Sequence, residues 1–322
     1  MSTDLVSILI PVFNREKYIG ATIESALAQT HSNLEVIVVD NCSQDNTWQI
    51  ISAYAEKDSR IKCFQNDTNI GPVKNWEKCI ELAQGAYGKI LWSDDLLHPT
   101  FIETTLPYFS DSDVGCVFTS VKVFNDDGNR VVVQHRIGKT GHYSSKYFIK
   151  YALINPKYPR SPGCAIFRLK DLQNALLIDI PNRHNINFSQ HAIGNDLIIF
   201  LLTMLKYPEF VFVDSPLSLF RAHSGSITYS TRDGSLPLFY ALAKAYFLEK
   251  YCDDKKALHL HNAYLAILVR LFRQHPSGLM RVPDFYASNK DWGAPLFCFI
   301  QVLLLLTPGV LRFLKKYKGI GA

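Results

Sequence analysis

The chain has 322 residues, of which 48% are hydrophobic and 20% charged, a balance typical of globular proteins with a substantial core. Its net charge of +5 is mild for this length and argues against a nucleic-acid-binding protein, which usually carries a denser basic stripe. The seven cysteines are widely spaced and include no CxxC pair, so neither a zinc cage nor a disulfide framework is predicted. The N-terminal "MSTDLVSILIPVFN" lacks the features of a signal peptide, and we therefore expect a cytoplasmic protein.

The first 120 residues alternate apolar strand-like runs with segments of helical periodicity. The strand-like runs are "LVSILIPVF", "LEVIVVD", "RIKCFQN" and "YGKILWSDD". The helical segments between them are "REKYIGATIESALAQ", "DNTWQIISAYAEK" and "GPVKNWEKCIELAQG", the last of which is expected to end at Gly85. This alternation predicts an α/β fold with a mostly parallel sheet and helices on both faces.

The pattern changes after residue 120. Two β-rich runs flank "NDDGN" and predict a hairpin. Residues 135–195 are irregular, and they are followed by an apolar helix, "NDLIIFLLTMLKY", and a strand, "EFVFVDSPLSLFRAHSGS". From about residue 236 the pattern is helical only. We therefore predict one domain over residues 1–230, divided near residue 120, and a helical region over residues 231–322.

The carboxy-terminal region contains a long uncharged stretch between Asp291 and Arg312. At ~1.5 Å per residue it is long enough to cross a bilayer core, although prolines and a glutamine interrupt it. The stretch after it, "GVLRFLKKYKG", has apolar residues on one helical face and four basic residues elsewhere. We predict that the segment 292–318 associates with the inner face of the cell membrane, because basic amphipathic helices bind anionic surfaces. A buried core helix with a solvated tail is the alternative.

Each of the four apolar strands ends in a polar cluster. The clusters comprise residues 11–14, 40–43, 66–71 and 93–95. The carboxyl ends of parallel strands lie at one edge of a sheet, and ligands bind beyond that edge, so we expect the clusters to meet there. In the last cluster, Asp94 and Asp95 are adjacent acids whose like charges repel each other. Either a cation is bound beside them, or they cap the following helix.

The ordered set of motifs resembles the glycosyltransferases of family 2. The resemblance lies in "SILIPVFNREKYIGATIESALAQTHSNLEVIVVDNCSQDNT" and "NIGPVKNWEKCIELAQGAYGKILWSDD", and it extends over roughly residues 5–225. It implies a GT-A fold, which is Rossmann-like, with a nucleotide-sugar half over about 1–120 and an acceptor half over about 121–230. It also implies a nucleoside diphosphate sugar donor, with UDP the favoured nucleotide, and a saccharide or lipid-linked saccharide acceptor.

The resemblance assigns donor binding mainly to the strand ends. The candidate donor-binding residues are Pro11, Val12, Phe13, Asn14, Asp40, Lys74, Ser93, Asp94, Asp95 and Arg221. The carboxylate of Asp40 is suited to accept hydrogen bonds from a uracil-like N–H or a ribose hydroxyl, and a turn cap is the alternative. Asn41 stands where family members often carry a second acid. Lys74 is either a phosphate contact or an ordinary solvated lysine.

Asp94 and Asp95 match the acidic motif that holds Mn²⁺ or Mg²⁺ in this family. Both ions prefer oxygen ligands, and such an ion would neutralise charge on the leaving diphosphate. Because Trp92 stands where the family often has a further acid, which of the two aspartates binds the ion directly stays open. In "FRAHSGSIT", Arg221 is a candidate phosphate contact and His223 a candidate metal ligand, and exposed loop side chains are the alternative.

Asp196, in "HAIGNDLIIFLL", is the candidate catalytic base. The family usually has a Glu-Asp pair at this place, and here Asn195 precedes the aspartate. Inverting transfer needs one base to take the proton of the attacking acceptor hydroxyl. The alternative is a helix N-cap.

Together these features predict an inverting, metal-dependent glycosyltransferase in surface polysaccharide or glycolipid assembly. A non-catalytic nucleotide-sugar-binding or scaffold protein on the same fold is the main alternative. A nucleotidyltransferase is less favoured, because "IPVFNREKY" has no glycine-rich phosphate loop.

Overall fold

A computed structural model of the chain describes residues 4–126, 131–155, 158–226, 234–273, 275–288 and 293–305. Within these residues ten strands form one sheet that is flanked by helices. The strands are β1 (Val6–Val12), β2 (Leu34–Asp40), β3 (Ile61–Gln65), β4 (Tyr87–Ile90), β5 (Leu96–Leu97), β6 (Val114–Phe124), β7 (Val131–Gln134), β8 (Gly141–Ser144), β9 (Ala165–Arg168) and β10 (Glu209–Arg221). The helices are α1 (Ile19–Leu27), α2 (Thr47–Ala55), α3 (Pro72–Leu82), α4 (Phe101–Thr105), α5 (Ser145–Ala152), α6 (Leu169–Ala175), α7 (Phe188–His191), α8 (Asn195–Lys206), α9 (Ser235–Tyr251), α10 (Lys255–Leu271) and α11 (Leu296–Leu305).

The first four strands are parallel, as the sequence predicts. β1 lies between β2 and β4, and β3 lies outside β2. In this register Val12 is beside Asp40, and Asp40 is beside Gln65. The carboxyl ends of β1, β2 and β3 therefore form one line at the edge of the sheet.

The second half of the sheet mixes parallel and antiparallel pairs. β9 runs antiparallel between β4 and β6 and joins the two halves, while β10 is parallel to β6. β5, which directly follows the adjacent acids, pairs with β10 near its carboxyl end. The predicted hairpin is confirmed by the pairing of β6 with β7. Its turn, at residues 127–130, lies outside the described residues.

The sheet is buried on both faces. Along β1, Ile8 and Ile10 belong to one core and Leu9 to the other, as the two-residue period of a strand requires. The core that contains Leu9 continues without a break through α8 and α9 to Val302 of α11. The domain boundary near residue 230 stays a prediction, and the residues on its two sides share this core.

α3 ends at Leu82 rather than at Gly85, and Gly85 instead lies against β1, where a Cβ would come within 2.8 Å of the Ser7 backbone nitrogen.

Within the described residues, no helix has the length and apolarity to cross a bilayer. Of the predicted membrane segment 292–318, residues 293–305 are described, and the basic stretch from Arg312 lies outside the described part.

A buried carboxylate fixes the start of β2, at the opposite edge of the sheet from Asp40. Glu35 accepts hydrogen bonds from Ser7 Oγ at 2.6 Å, Lys62 Nζ at 2.7 Å and the Gln84 backbone N–H at 2.6 Å. Burial alone would raise the pKa of Glu35, but these hydrogen bonds outweigh burial and hold the pKa below its ordinary value.

We expect Glu35→Gln to lower the free energy of unfolding by about 1–3 kcal/mol at neutral pH, because an amide faces donors that need acceptors. Since the pKa is lowered in the folded state, this stabilisation is present above pH ~4.3 and disappears as the pH falls through the folded pKa. Urea unfolding at pH 7 and pH 3 measures both effects. Equal stability of the two proteins at pH 7 would contradict the interpretation.

Candidate functional site

The four polar clusters meet at the carboxyl edge of the sheet, as expected. The Asn14 backbone N–H donates to Ser43 Oγ at 2.8 Å, and Asn14 Oδ1 accepts the Gln44 N–H at 2.8 Å. Asn14 has a φ of 50°, a left-handed conformation that asparagine tolerates better than most residues. Pro11 and Val12 are buried in β1, whereas Phe13 is exposed at the edge.

Asp40 is fully buried at the end of β2. Its carboxylate accepts hydrogen bonds from Ser43 Oγ at 2.5 Å, from the Ser43 N–H at 3.2 Å and from Gln65 Nε2 at 2.9 Å. Asp40 therefore caps the turn that follows β2 and also contacts β3. The turn cap, which was the alternative predicted for Asp40, is therefore observed, and the carboxylate lies at the edge where the clusters meet.

An asparagine network explains the residue that replaces the second acid. Asn41 Oδ1 accepts hydrogen bonds from Asn66 Nδ2 and from the Ile70 N–H, both at 3.0 Å, while its Nδ2 donates to Asn69 Oδ1 at 2.9 Å. A carboxylate at position 41 has no donor for Asn69. Asn41 therefore orders the loop 66–71, and the only sequence signal for this was the concentration of asparagines.

Asp94 and Asp95 occupy different environments. Asp94 Oδ2 lies 2.9 Å from His223 Nε2 and 3.3 Å from Arg15 Nε. Asp95 is buried, and its Oδ1 accepts the backbone N–H of Arg221 at 2.8 Å. Burial and the neighbouring charge of Asp94 raise the pKa of Asp95 well above its ordinary value. Ser93 is buried just before them, and its carbonyl accepts the hydroxyl of Thr22 at 3.1 Å.

The end of β10 closes over the end of β1. Arg221 Nε donates to the Asp94 carbonyl at 2.9 Å, and its guanidinium lies 5.0 Å from the Tyr18 ring centroid. The His223 ring is 4.8 Å from the same tyrosine ring. Arg15, which the sequence argument missed, bridges Asp94 to the carbonyl oxygens of Asn14 and Gly225. Its position directly after the first polar cluster was the only available signal.

The candidate metal ligands are close together but do not converge on one point. Among the described residues, the three potential metal-ligating side chains whose ligand atoms all lie within 4.8 Å of one another are those of Asp111, His142 and Glu209. They are largely exposed near the start of β10, and they therefore lie at the opposite edge of the sheet. By contrast, Asp95 Oδ1 is engaged by a backbone N–H. The carboxylate of Asp94 and the imidazole of His223 are the pair whose chemistry fits a divalent ion at the strand ends.

Asp196 is the second residue of α8, whose N-cap is Gly194. Its side chain is buried, with Oδ1 accepting the N–H groups of Gly194 at 3.0 Å and Leu197 at 2.8 Å. Its Oδ2 accepts a hydrogen bond from the Tyr240 hydroxyl at 2.5 Å. Burial raises the pKa of Asp196 to about 6, although the three hydrogen bonds and the charge of Arg160 oppose this shift. A carboxylate with this pKa is suited to accept a proton near neutral pH.

The loop before α8 lies against the strand-end cluster. A Cβ on Gly71 would come within 2.6 Å of the Gln190 amide nitrogen, and Ala192 packs in a small apolar cluster with Val73, Trp76 and Trp92. Asn195 donates to the carbonyl oxygens of Leu177 at 2.8 Å and Ile178 at 3.1 Å, and therefore serves as a structural residue beside Asp196. Lys74 is exposed on the first turn of α3.

We expect Asp196→Asn to stabilise the fold near neutral pH. Because the folded pKa is raised, the native state holds a proton between pH ~4 and about 6 that the unfolded chain has released, and stability falls by ~3 kcal/mol across that range. The amide removes this loss. Urea unfolding from pH 4 to pH 8 measures it, with the exposed Asp113→Asn as control. A variant that is destabilised equally at every pH would show the pKa argument to be wrong.

Comparison with known proteins identifies a family and several relatives. The family model described as glycosyl transferase family 2 matches residues 7–176. The putative teichuronic acid biosynthesis glycosyltransferase TuaG of Bacillus subtilis is 35% identical over 124 residues, 38% of this chain and 49% of that protein. The UDP-Glc:alpha-D-GlcNAc-diphosphoundecaprenol beta-1,3-glucosyltransferase WfaP of Escherichia coli is 40% identical over 117 residues, 34% of this chain and 46% of that protein. The chain thus spans about half the length of these curated relatives.

Similarity to solved structures extends over more of the chain. The structure of S. aureus TarS, residues 1–349, in complex with UDP-GlcNAc matches with a TM-score of 0.55 at 16% identity, over 87% of this chain and 89% of that one. A second structure of S. aureus TarS, residues 1–349, matches with a TM-score of 0.54 at 17% identity, over 87% of this chain and 88% of that one. At this identity the likeness shows a shared fold.

Proposed function

Because the chain belongs to glycosyltransferase family 2, we propose that it moves a sugar from a UDP-linked donor to a hydroxyl acceptor with inversion at the anomeric carbon. The observation that carries the proposal is the meeting of Asp40, Asp94 and Arg221 at the carboxyl edge of the sheet, with the loop before Asp196 packed against that edge. Sheets of this kind bind nucleotides at this edge.

The donor is proposed to lie across the ends of β1, β2 and β10. Asp40 and the main chain of residues 11–14 would contact the nucleoside, and Ser93 would line the same edge. Arg15 and Arg221 supply two guanidinium groups beside Asp94, a setting that favours a diphosphate. Lys74, on the first turn of α3, is an additional candidate for phosphate contact.

We place the metal at Asp94. Its Oδ2 would hold Mn²⁺ or Mg²⁺ together with the imidazole of His223. Asp95, whose Oδ1 accepts the Arg221 N–H, would support Asp94 without binding the ion directly. When bound, the ion would neutralise the charge that develops on the leaving diphosphate. Arg15, which donates to Asp94 in the structure, would then be available to the phosphate oxygens.

Asp196 is the proposed general base. Its carboxylate would take the proton of the acceptor hydroxyl as that oxygen attacks, and its pKa of about 6 leaves it largely ionised at neutral pH. Position 195 carries an asparagine rather than a second carboxylate, and its side chain donates to the Leu177 and Ile178 carbonyls. One base suffices for an inverting reaction.

The names of the relatives guide the choice of substrates. WfaP is named for a UDP-Glc donor and a diphosphoundecaprenol-linked acceptor, TuaG for teichuronic acid biosynthesis, and TarS was solved with UDP-GlcNAc. These names support a UDP-hexose donor and a role in surface polysaccharide or glycolipid assembly for this chain. A non-catalytic nucleotide-sugar-binding or scaffold protein is the alternative.

Titration with nucleotides tests the donor site. We expect UDP with Mn²⁺ to raise the melting temperature more than GDP or dTDP, by roughly 4 °C at 100 times Kd. Asp94→Ala should lose the Mn²⁺-dependent part, whereas Asp111→Ala, in the acid cluster at the opposite edge, should keep it. Absence of a shift with every diphosphate would refute the donor site. UDP binding without release of UDP from any UDP-hexose would favour the non-catalytic alternative.

We place the protein on the inner face of the cell membrane, held there by α11. Cys298 and Val302 are buried, whereas Leu296, Phe297, Ile300 and Leu303 are 76%, 57%, 53% and 53% exposed on the outer side of the same helix. The sequence continues into a stretch with Arg312, Lys315, Lys316 and Lys318. An exposed apolar face followed by basic residues suits an anionic lipid surface.

Cosedimentation with vesicles tests this location. We expect the double variant Phe297→Ser and Ile300→Ser to bind phosphatidylglycerol vesicles at least about tenfold more weakly, because each side chain loses part of ~1.5–3 kcal/mol of apolar transfer. A matched control replaces Val132 and Val133, which are exposed on β7, with serine. Unchanged binding of the α11 variant would refute the docking face, as would equal weakening by the control.

A further inference from the structure

Helix α9, from the C-terminal region, packs directly on the turn that carries Asp196. The Tyr240 hydroxyl donates to Asp196 Oδ2 at 2.5 Å. At the start of that turn Gly194 has a φ of +113°, and a Cβ there would come within 2.6 Å of the Ala243 Cβ. The two helices are therefore in contact at this point, and the phenol of Tyr240 is the α9 group that binds the buried carboxylate.

A second segment, which contains Arg160, contacts the ring of Tyr240. The guanidinium carbon of Arg160 lies 4.8 Å from the centroid of the Tyr240 ring, a cation–π distance. The next residue, Ser161, accepts a hydrogen bond from Trp92 Nε1 at 2.7 Å. Trp92 directly precedes the acidic motif at residues 93–95. The segment around Arg160 thus connects the partner of Asp196 with the turn after β4 that carries Asp94.

We propose that Tyr240 is a positioning residue for the transfer reaction, which holds the carboxylate of Asp196 ionised and oriented, and that Arg160 holds Tyr240 in place. The proposal rests on the proposed function, in which Asp196 is the base. Hydrogen bonds to an ionised carboxylate are short and strong, and this one contacts the oxygen that the backbone N–H groups leave open.

The groups around Asp196 determine the direction in which its pKa changes when Tyr240 or Arg160 is replaced. Tyr240 from α9 and Arg160 from the segment before β9 both lower the pKa of the carboxyl, against the larger effect of burial. Lys244, one turn further along α9, donates to the Leu153 carbonyl, and His191 of α7 is exposed with its ring 5.3 Å from that of Phe239. Removing the phenol or the guanidinium therefore raises the pKa of Asp196.

The test compares Tyr240→Phe, Arg160→Met and the control Tyr246→Phe. Tyr246 lies on the same helix, and its hydroxyl accepts a hydrogen bond from Lys250. The pKa of Asp196 is obtained without substrate, from the pH dependence of unfolding of each protein with and without Asp196→Asn. We expect a midpoint near 6 in the wild type and in the control, a shift of about one unit or more to higher pH in Tyr240→Phe, and a smaller shift in the same direction in Arg160→Met.

Release of UDP from UDP-glucose gives the second readout. The acid limb of the pH profile should move by the same amount in Tyr240→Phe, with activity recovering above it, whereas a loss that is equal at every pH indicates a merely structural role. Unmoved midpoints in both variants would overturn the inference while leaving the proposed function intact. Turnover that persists in Asp196→Asn would instead reject the base itself, and with it the assigned role of Tyr240. If Tyr240→Phe does not fold, Arg160→Met still decides between these outcomes.

Discussion

The candidate site depends on the parallel register of the first three strands. With Val12 beside Asp40 and Asp40 beside Gln65, the three strands end together, and their polar residues reach one another. A slip of one residue would turn the Asp40 side chain to the other face of the sheet, away from its hydrogen-bond partners. Burial on both faces prevents this slip, because alternate residues of β1 belong to different cores. The position of the site is thus set largely by the apolar residues of the two cores.

Charge balance at this edge explains how two adjacent acids are accommodated. Asp95 is buried and fastened to the backbone of β10, whereas Asp94 is less buried and shares its Oδ2 between Arg15 and His223. Asp95 joins the two halves of the sheet, whereas Asp94 faces the guanidinium of Arg15 and the imidazole of His223. A helix cap, the alternative considered for this pair, does not describe either residue, since Asp95 is followed by β5 rather than by a helix.

The sequence could predict the parts of the fold that local patterns determine. Apolar runs bounded by polar clusters identified β1 to β4, and the topology of parallel strands then predicted that the clusters meet. Contacts between distant segments could not be predicted in this way. Lys89, within the apolar run of β4, is fully buried and donates to the Ile90 carbonyl and to that of Gly163, 74 residues later. Burial lowers its pKa to about 7, yet no local pattern distinguishes it from a solvated lysine.

Asp196 is a second residue whose contact with a distant segment could not be predicted from local sequence patterns. Resemblance to the family identified the aspartate, but its partner Tyr240 lies beyond the boundary that the change of pattern near residue 230 suggested. The structure joins the two sides through contiguous packing: α9 contacts α8 at Gly194, α10 packs on α9, and α11 packs on α10. The exposed apolar face of α11 is therefore connected to the Asp196 carboxylate through three consecutive helices. Because Tyr240 lies on α9, a displacement of this bundle must either carry Asp196 with it or break the hydrogen bond to the buried carboxylate.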